Sequence, residues 1–193
     1  MDKEQLHDAR TNPDFLKYLE ETREDAIATK NISALYEVLD SLLILDLDEE
    51  KVNFVYQNIL QIAFEQVQNK IDANKKLTLE GDDLFYVRAF YEHAIEKWSY
   101  ENFDGARELI FVLSNILDDQ LLEDALKAHI IALAVNTNLD SFYEDDVNLE
   151  STNEDEKYGY FITEFNYELK EYLELNKGTL SLEYEKLKHL LEN

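Results

Sequence analysis

Four histidines, 43 acidic side chains and 12 tyrosines are the groups in this sequence whose chemistry could be put to use. The histidines His7, His93, His129 and His189 are scattered, and none stands in the HExxH spacing that sets two imidazoles on one helical face for zinc. His93 and Glu96 are neighbours on a turn, the spacing of an ordinary surface or core pair. Without cysteine there is no thiolate nucleophile, thiolate metal site or disulfide, and the redox compartment is not legible. No glycine-rich phosphate loop and no GxSxG elbow is present. The carboxylates of Asp46, Asp48, Glu49 and Glu50, and of Asp118 and Asp119, are of the type that holds magnesium on a diphosphate. Each cluster, however, precedes an apolar helical pattern, where acids accept from unpaired N–H groups and face the positive end of the dipole. From Asp146, oxygen-bearing Asn148, Glu150, Thr152 and Glu154 alternate as in a calcium loop. Ser151 then stands where that loop needs glycine, and Lys157 where it needs a bidentate glutamate. The residues therefore predict no catalytic centre, no metal and no cofactor, and a protein that is not an enzyme.

Tyrosine offers the other chemistry. Together with ten phenylalanines and the single Trp98, the tyrosines supply broad, stiff contact area with a polar tip, which suits a groove that grips a polypeptide. Tyr86, Tyr91, Trp98 and Tyr100 are the expected partner-binding residues. The same residues would also suit half-buried rims between helices.

The elements that must position them are helical. In 84–135, Leu84, Val87, Phe90, Tyr91, Ala94, Ile95 and Trp98 recur at three-and-four spacing, with charged residues opposite. The phase breaks at 100–104 and resumes through Ala106, Ile110, Leu113 and Leu117, with Asp104 as the expected N-cap. Asp118 and Asp119 restart it for Leu122, Ala125, Leu126, His129 and Leu133. Upstream, Asn12-Pro13-Asp14 opens a helix to about Lys30, Asn31 or Ser33 caps a second, and Asp48 caps a long third through Ile71. Residues 72–83 read as a loop, with the next start at Thr78 or nearer Gly81. Four glycines and one proline are too few for the turns of a β-protein. The fold class is all-α, built of antiparallel helical hairpins as an array or a bundle, with about eight helices. The expected organisation is a flexible tail at 1–11, a hairpin core at 12–135, an acidic loop or linker at 136–157, and a helical pair at 158–193 docked on the core. That linker carries eight acids against Lys157 alone. The final pair is expected to run from Phe161 to a glycine C-cap at Gly178, and then through Leu182, Leu187 and Leu191.

The run Trp98-Ser-Tyr-Glu-Asn-Phe103-Asp-Gly-Ala106-Arg-Glu-Leu-Ile110 resembles the centre of a tetratricopeptide repeat, with Phe90 as upstream aromatic and Ala94 and Ala106 as the small residues of the crossing. His93, Lys97 and Asp118 depart from that pattern, and about one repeat of ~34 residues is legible. A faint echo relates 38–43 to 112–117, 74 positions apart. In size and charge the chain is also similar to the small acidic chaperones of type III secretion. The resemblance implies a groove that holds a peptide or helix of another protein, and a role as chaperone or adaptor.

The formal net charge of −25 repels nucleic-acid phosphates and anionic lipid, over a Debye length of about 8 Å at physiological salt. The expected partner is another protein, met through a basic or amphipathic segment, with no direct nucleic-acid or membrane contact; oligomeric state is not legible. The competing expectation is an acidic nucleic-acid mimic that occupies the basic cleft of a DNA-binding protein. MDKEQLHDAR lacks an apolar leader core and no run approaches the ~18 residues of a membrane span, so a cytoplasmic location is expected.

Overall fold

The computed structural model describes residues 8–151 and 153–191. Most of the expected N-terminal tail, His7 included, and Thr152 of the calcium-like spacing lie outside them. Among the described residues there is no β-strand, and eight α-helices exceed one turn: α1 (Pro13–Thr29), α2 (Ile32–Ile44), α3 (Glu49–Asp72), α4 (Gly81–Ser99), α5 (Phe103–Ile116), α6 (Gln120–Ala134), α7 (Leu169–Leu175) and α8 (Lys177–Leu187). The all-α class follows directly. No helix is long and apolar enough to cross a membrane, among the described residues. The chain divides into two compact units, Met1–Gln66 and Val67–Asn193, and the division falls within α3.

In the first unit, Asn12 Oδ1 accepts from the N–H groups of Asp14 (3.0 Å) and Phe15 (3.1 Å), and Pro13 occupies the first helical position. Lys30, at φ +54°, ends α1, and Asn31 caps α2 at once through Ala34 N–H. So short a link forces α1 and α2 into an antiparallel hairpin. Leu19, Ala26, Ile32, Leu35, Tyr36, Val38 and Leu39 are buried there. Each large apolar side chain so removed from water contributes roughly 1.5–3 kcal/mol. Residues 8–11 are not a loose tail: they are helical, and Arg10 Nε donates to the Leu45 carbonyl (2.6 Å).

In the second unit, α4, α5 and α6 pack consecutively. Ala94 and Ala106 are both fully buried, as a close helix crossing requires. The N-cap of α5 is Asn102, not Asp104: its Oδ1 accepts from Gly105 N–H (3.0 Å), while Asp104 sits one residue inside the first turn. Asp119 caps α6 by accepting from Leu122 N–H (3.0 Å). The 73–80 loop is anchored rather than open. Leu77 and Leu79 are buried, and Leu77 exchanges backbone bonds with the end of α5, donating to Ile116 O and accepting from Asp118 N–H.

Two expectations are corrected beyond this point. Residues 139–146 are not a plain loop or linker: Asn138 caps a helical turn, Leu139–Ser141, which passes into a π-type turn, Phe142–Asp146, that drives Phe142 completely inside. Next, 161–168 is not helical despite its three-and-four aromatic spacing. It runs as an irregular strap tied to 146–148, with Asn148 N–H donating to Glu164 O (3.0 Å) and Asn166 N–H to Asp146 O (2.8 Å). Tertiary pairing overrides local periodicity here. Helix α7 is accordingly short, and Gly178 lies in the first turn of α8 instead of closing α7.

Candidate functional site

The side chains with the most perturbed chemistry lie where the strap crosses α4 and α6. His129 is fully buried on α6, ringed by Tyr91, Trp98, Phe142 and Phe165 with centroids 5.0–6.1 Å away. Its Nδ1 lies 2.8 Å from the Ala125 carbonyl, which can only accept, so Nδ1 carries the proton and Nε2 offers a lone pair. Tyr91 O–H donates to that Nε2 (3.0 Å), and Ile162 N–H of the strap donates to the Tyr91 oxygen (3.1 Å). Every polar atom in this chain of bonds is satisfied. Burial lowers the His129 pKa to about 4, with the Ala125 bond partly opposing, and burial also raises that of Tyr91. The arrangement suits a fixed neutral imidazole that positions the strap.

A second anchor sits at the head of α6. Tyr158 O–H donates to both oxygens of Asp119 (2.9 and 3.1 Å), and Lys157 Nζ reaches the same carboxylate (3.1 Å). Burial pushes the Asp119 pKa up, but the bonds from Leu122 N–H, Tyr158 and Lys157 outweigh it and hold the carboxyl below its usual range. A third anchor, Glu183 of α8, is 3% exposed and lies against Arg107 of α5 (3.2 Å) and Lys186 (2.5 Å).

Beside the first two anchors, at Tyr91 and Tyr158, the strap edges an open crevice. One hollow, of about 350 Å³, is lined by Tyr91, Glu92, Ile95, Tyr143 and 159–162. A second, of about 220 Å³, is lined by Tyr143, 147–149, Ser151, Asn153, Tyr158, Gly159 and 161–164. They share Tyr143, Gly159, Phe161 and Ile162 as a common wall. Among the described residues their lining includes the carboxylates of Glu92 and Glu164 and no lysine or arginine. Just beneath, the Arg88 guanidinium lies 4.2 Å from the Tyr160 ring centroid and pairs with Glu92 (2.7 Å). The first unit holds a separate hollow of about 190 Å³, whose wall includes Leu16, Leu19, Val38, Leu42 and Leu47 with charges of both signs at its edge.

The expected contact residues are therefore divided. Tyr86, Tyr91 and Trp98 are interior, at 9%, 3% and 1% exposure, and Tyr100 alone is open at 79%. Trp98 Nε1–H donates to the Thr137 carbonyl (2.8 Å), and Tyr91 reaches only the floor of the crevice. Burial raises the pKa of Tyr86, and Asp82 and Asp83 raise it further. Tyr91 and Trp98 build the bed against which Phe142, Phe161 and Ile162 lie. The aromatics of the crevice wall are the half-buried Tyr143 and the exposed Tyr160, which helical periodicity could not find because neither belongs to a regular helix. The available signal was Phe142, Tyr143 and Val147 standing apolar within an acidic stretch. Among the described residues, no group of three or more His, Asp or Glu side chains is arranged to hold a metal ion.

No protein-family model, curated protein or solved structure matches the chain.

Proposed function

We propose that the chain is a protein-binding module of the chaperone or adaptor kind, holding a segment of a partner polypeptide in the crevice beside the strap. The observation that carries this reading is the crevice itself: two adjoining hollows with aromatic walls, carboxylates in the lining, and a floor fixed by the Tyr91–His129 bonds. Rigid aromatic walls bind with little side-chain ordering cost, and prior fixing of the floor lowers that cost further. Net charge then directs encounter toward basic polypeptides.

Photo-crosslinking residues at 143 and 160 test it, with the open position 100 as reference. The expected result is a polypeptide adduct at 143 and 160, absent at 100, that persists in ~0.5 M salt, where exposed charges interact over only a few ångströms. Equal labelling at all three positions overturns the proposal. Binding abolished by that salt would instead favour the acidic nucleic-acid mimic.

A further inference from the structure

We propose that the crevice takes a basic segment of another polypeptide, seating a lysine or arginine side chain between Tyr143 and Tyr160 against the carboxylate of Glu164. This rests on the protein-binding reading and names the chemistry of the partner. Charge complementarity is the first support: among the described residues the lining holds Glu92 and Glu164 and no lysine or arginine, and the crevice borders the 136–157 stretch, whose sequence has eight acids against one lysine. Arg88 already pairs with Glu92 and Lys157 with Asp119, so Glu164 is the lining carboxylate that would meet an incoming cation. Aromatic chemistry is the second. Tyr160 stays 40% exposed although Arg88 lies against its ring, so aromatic surface remains for an incoming cation, whose attraction to a ring face grows when water is excluded.

The test uses the full chain and a fluorescein-labelled decapeptide of alternating lysine and valine, read by anisotropy. The comparison peptide carries acetyl-lysine at every lysine, keeping length and backbone while removing the charge. Saturable binding is expected, at least tenfold weaker for the acetylated peptide. Tyr143→Ala with Tyr160→Ala should weaken the lysine peptide at least tenfold, the corresponding Phe changes should leave it within about threefold because the ring is retained, and Tyr100→Ala should leave it unchanged. Glu164→Gln should weaken binding, and Glu24→Gln, in the other unit, should not. Failure of the lysine peptide to bind saturably overturns the inference, as does equal binding of the acetylated peptide or an equal effect of Glu24→Gln. Crosslinking at 143 and 160 that survives any of these results keeps the protein-binding reading while removing the basic partner. The Phe variants guard against misfolding of the Ala ones: loss of binding in a folded Phe variant also overturns the proposal.

Discussion

At the scale of single residues, the buried imidazole has the clearest energetic consequence. His129 is held neutral, with a pKa of about 4 in the fold against about 6.5 in an unfolded chain. Because the folded value is depressed, its contribution is complete above about pH 6.5 and drains away as pH falls through 4. The difference amounts to on the order of 3 kcal/mol. Urea denaturation between pH 7 and 4 should show this loss, and His129→Phe should flatten that limb of the profile; an unchanged slope would remove the imidazole from the account. Tyr91→Phe leaves both His129 Nε2 and Ile162 N–H unsatisfied in the interior. It should cost about 2–4 kcal/mol at neutral pH, measured as a shift in denaturation midpoint at constant m-value. Asp119→Ala removes the α6 cap together with the Tyr158 and Lys157 bonds, and about 2–4 kcal/mol should be lost. With a carboxyl pKa lowered by those bonds, the Asp119 contribution is present above the ordinary aspartate range and fades below it, so the mutant and parent stability curves should converge as pH drops.

Among the elements, those fixed by short-range chemistry were legible and those fixed by distant partners were not. Asn12-Pro13, Asn31, Asp48 and Asp119 each mark a helix start because the cap oxygen satisfies N–H groups two or three residues away. Asn102 was missed in favour of Asp104 because both are good caps, and only the geometry of the turn, with Glu101 at φ +58°, chooses between them. Gly105 is part of that choice, since a Cβ there would lie 2.9 Å from the Asn102 amide. Gly105→Ala should therefore destabilise α5 by about 1 kcal/mol, despite alanine's better helix propensity, as read by thermal melting. The strap escaped prediction for the opposite reason. Phe161 and Phe165 carry helical spacing, yet Phe161 stacks edge-on against Tyr91 (5.3 Å) and Phe165 against His129 (6.1 Å), partners 70 and 36 positions earlier. Interior placement of Tyr91 and Trp98 was invisible on the same ground: the residues that cover them come from 142–166, and no local pattern announces a cover. Truncation after residue 157 should bare this aromatic bed, giving strong binding of an apolar dye at neutral pH without loss of most helical signal.

For the whole molecule, charge sets the conditions under which these parts can act. At −25 the chain repels itself, and added salt screens that repulsion. Raising ionic strength from low to physiological should lift the melting temperature by roughly 2–4 °C, equivalent to about 1 kcal/mol for a chain of this size. A flat response would mean that the many local ion pairs already offset the excess acid. Acid should have a compound effect: near the sequence pI of about 4.3 net charge vanishes, just where His129 begins to take up a proton. Precipitation and unfolding are then expected together, as turbidity rising in step with loss of near-UV ellipticity.

Trp98 is the chain's only indole, and it lies in van der Waals company with Phe142 (4.8 Å between ring centroids) and beside His129 (6.1 Å). The one indole thus lies against Phe142, beneath the segment whose departure would matter most. Its emission maximum is a built-in gauge of whether residues 142–166 are seated, readable in dilute solution without any label.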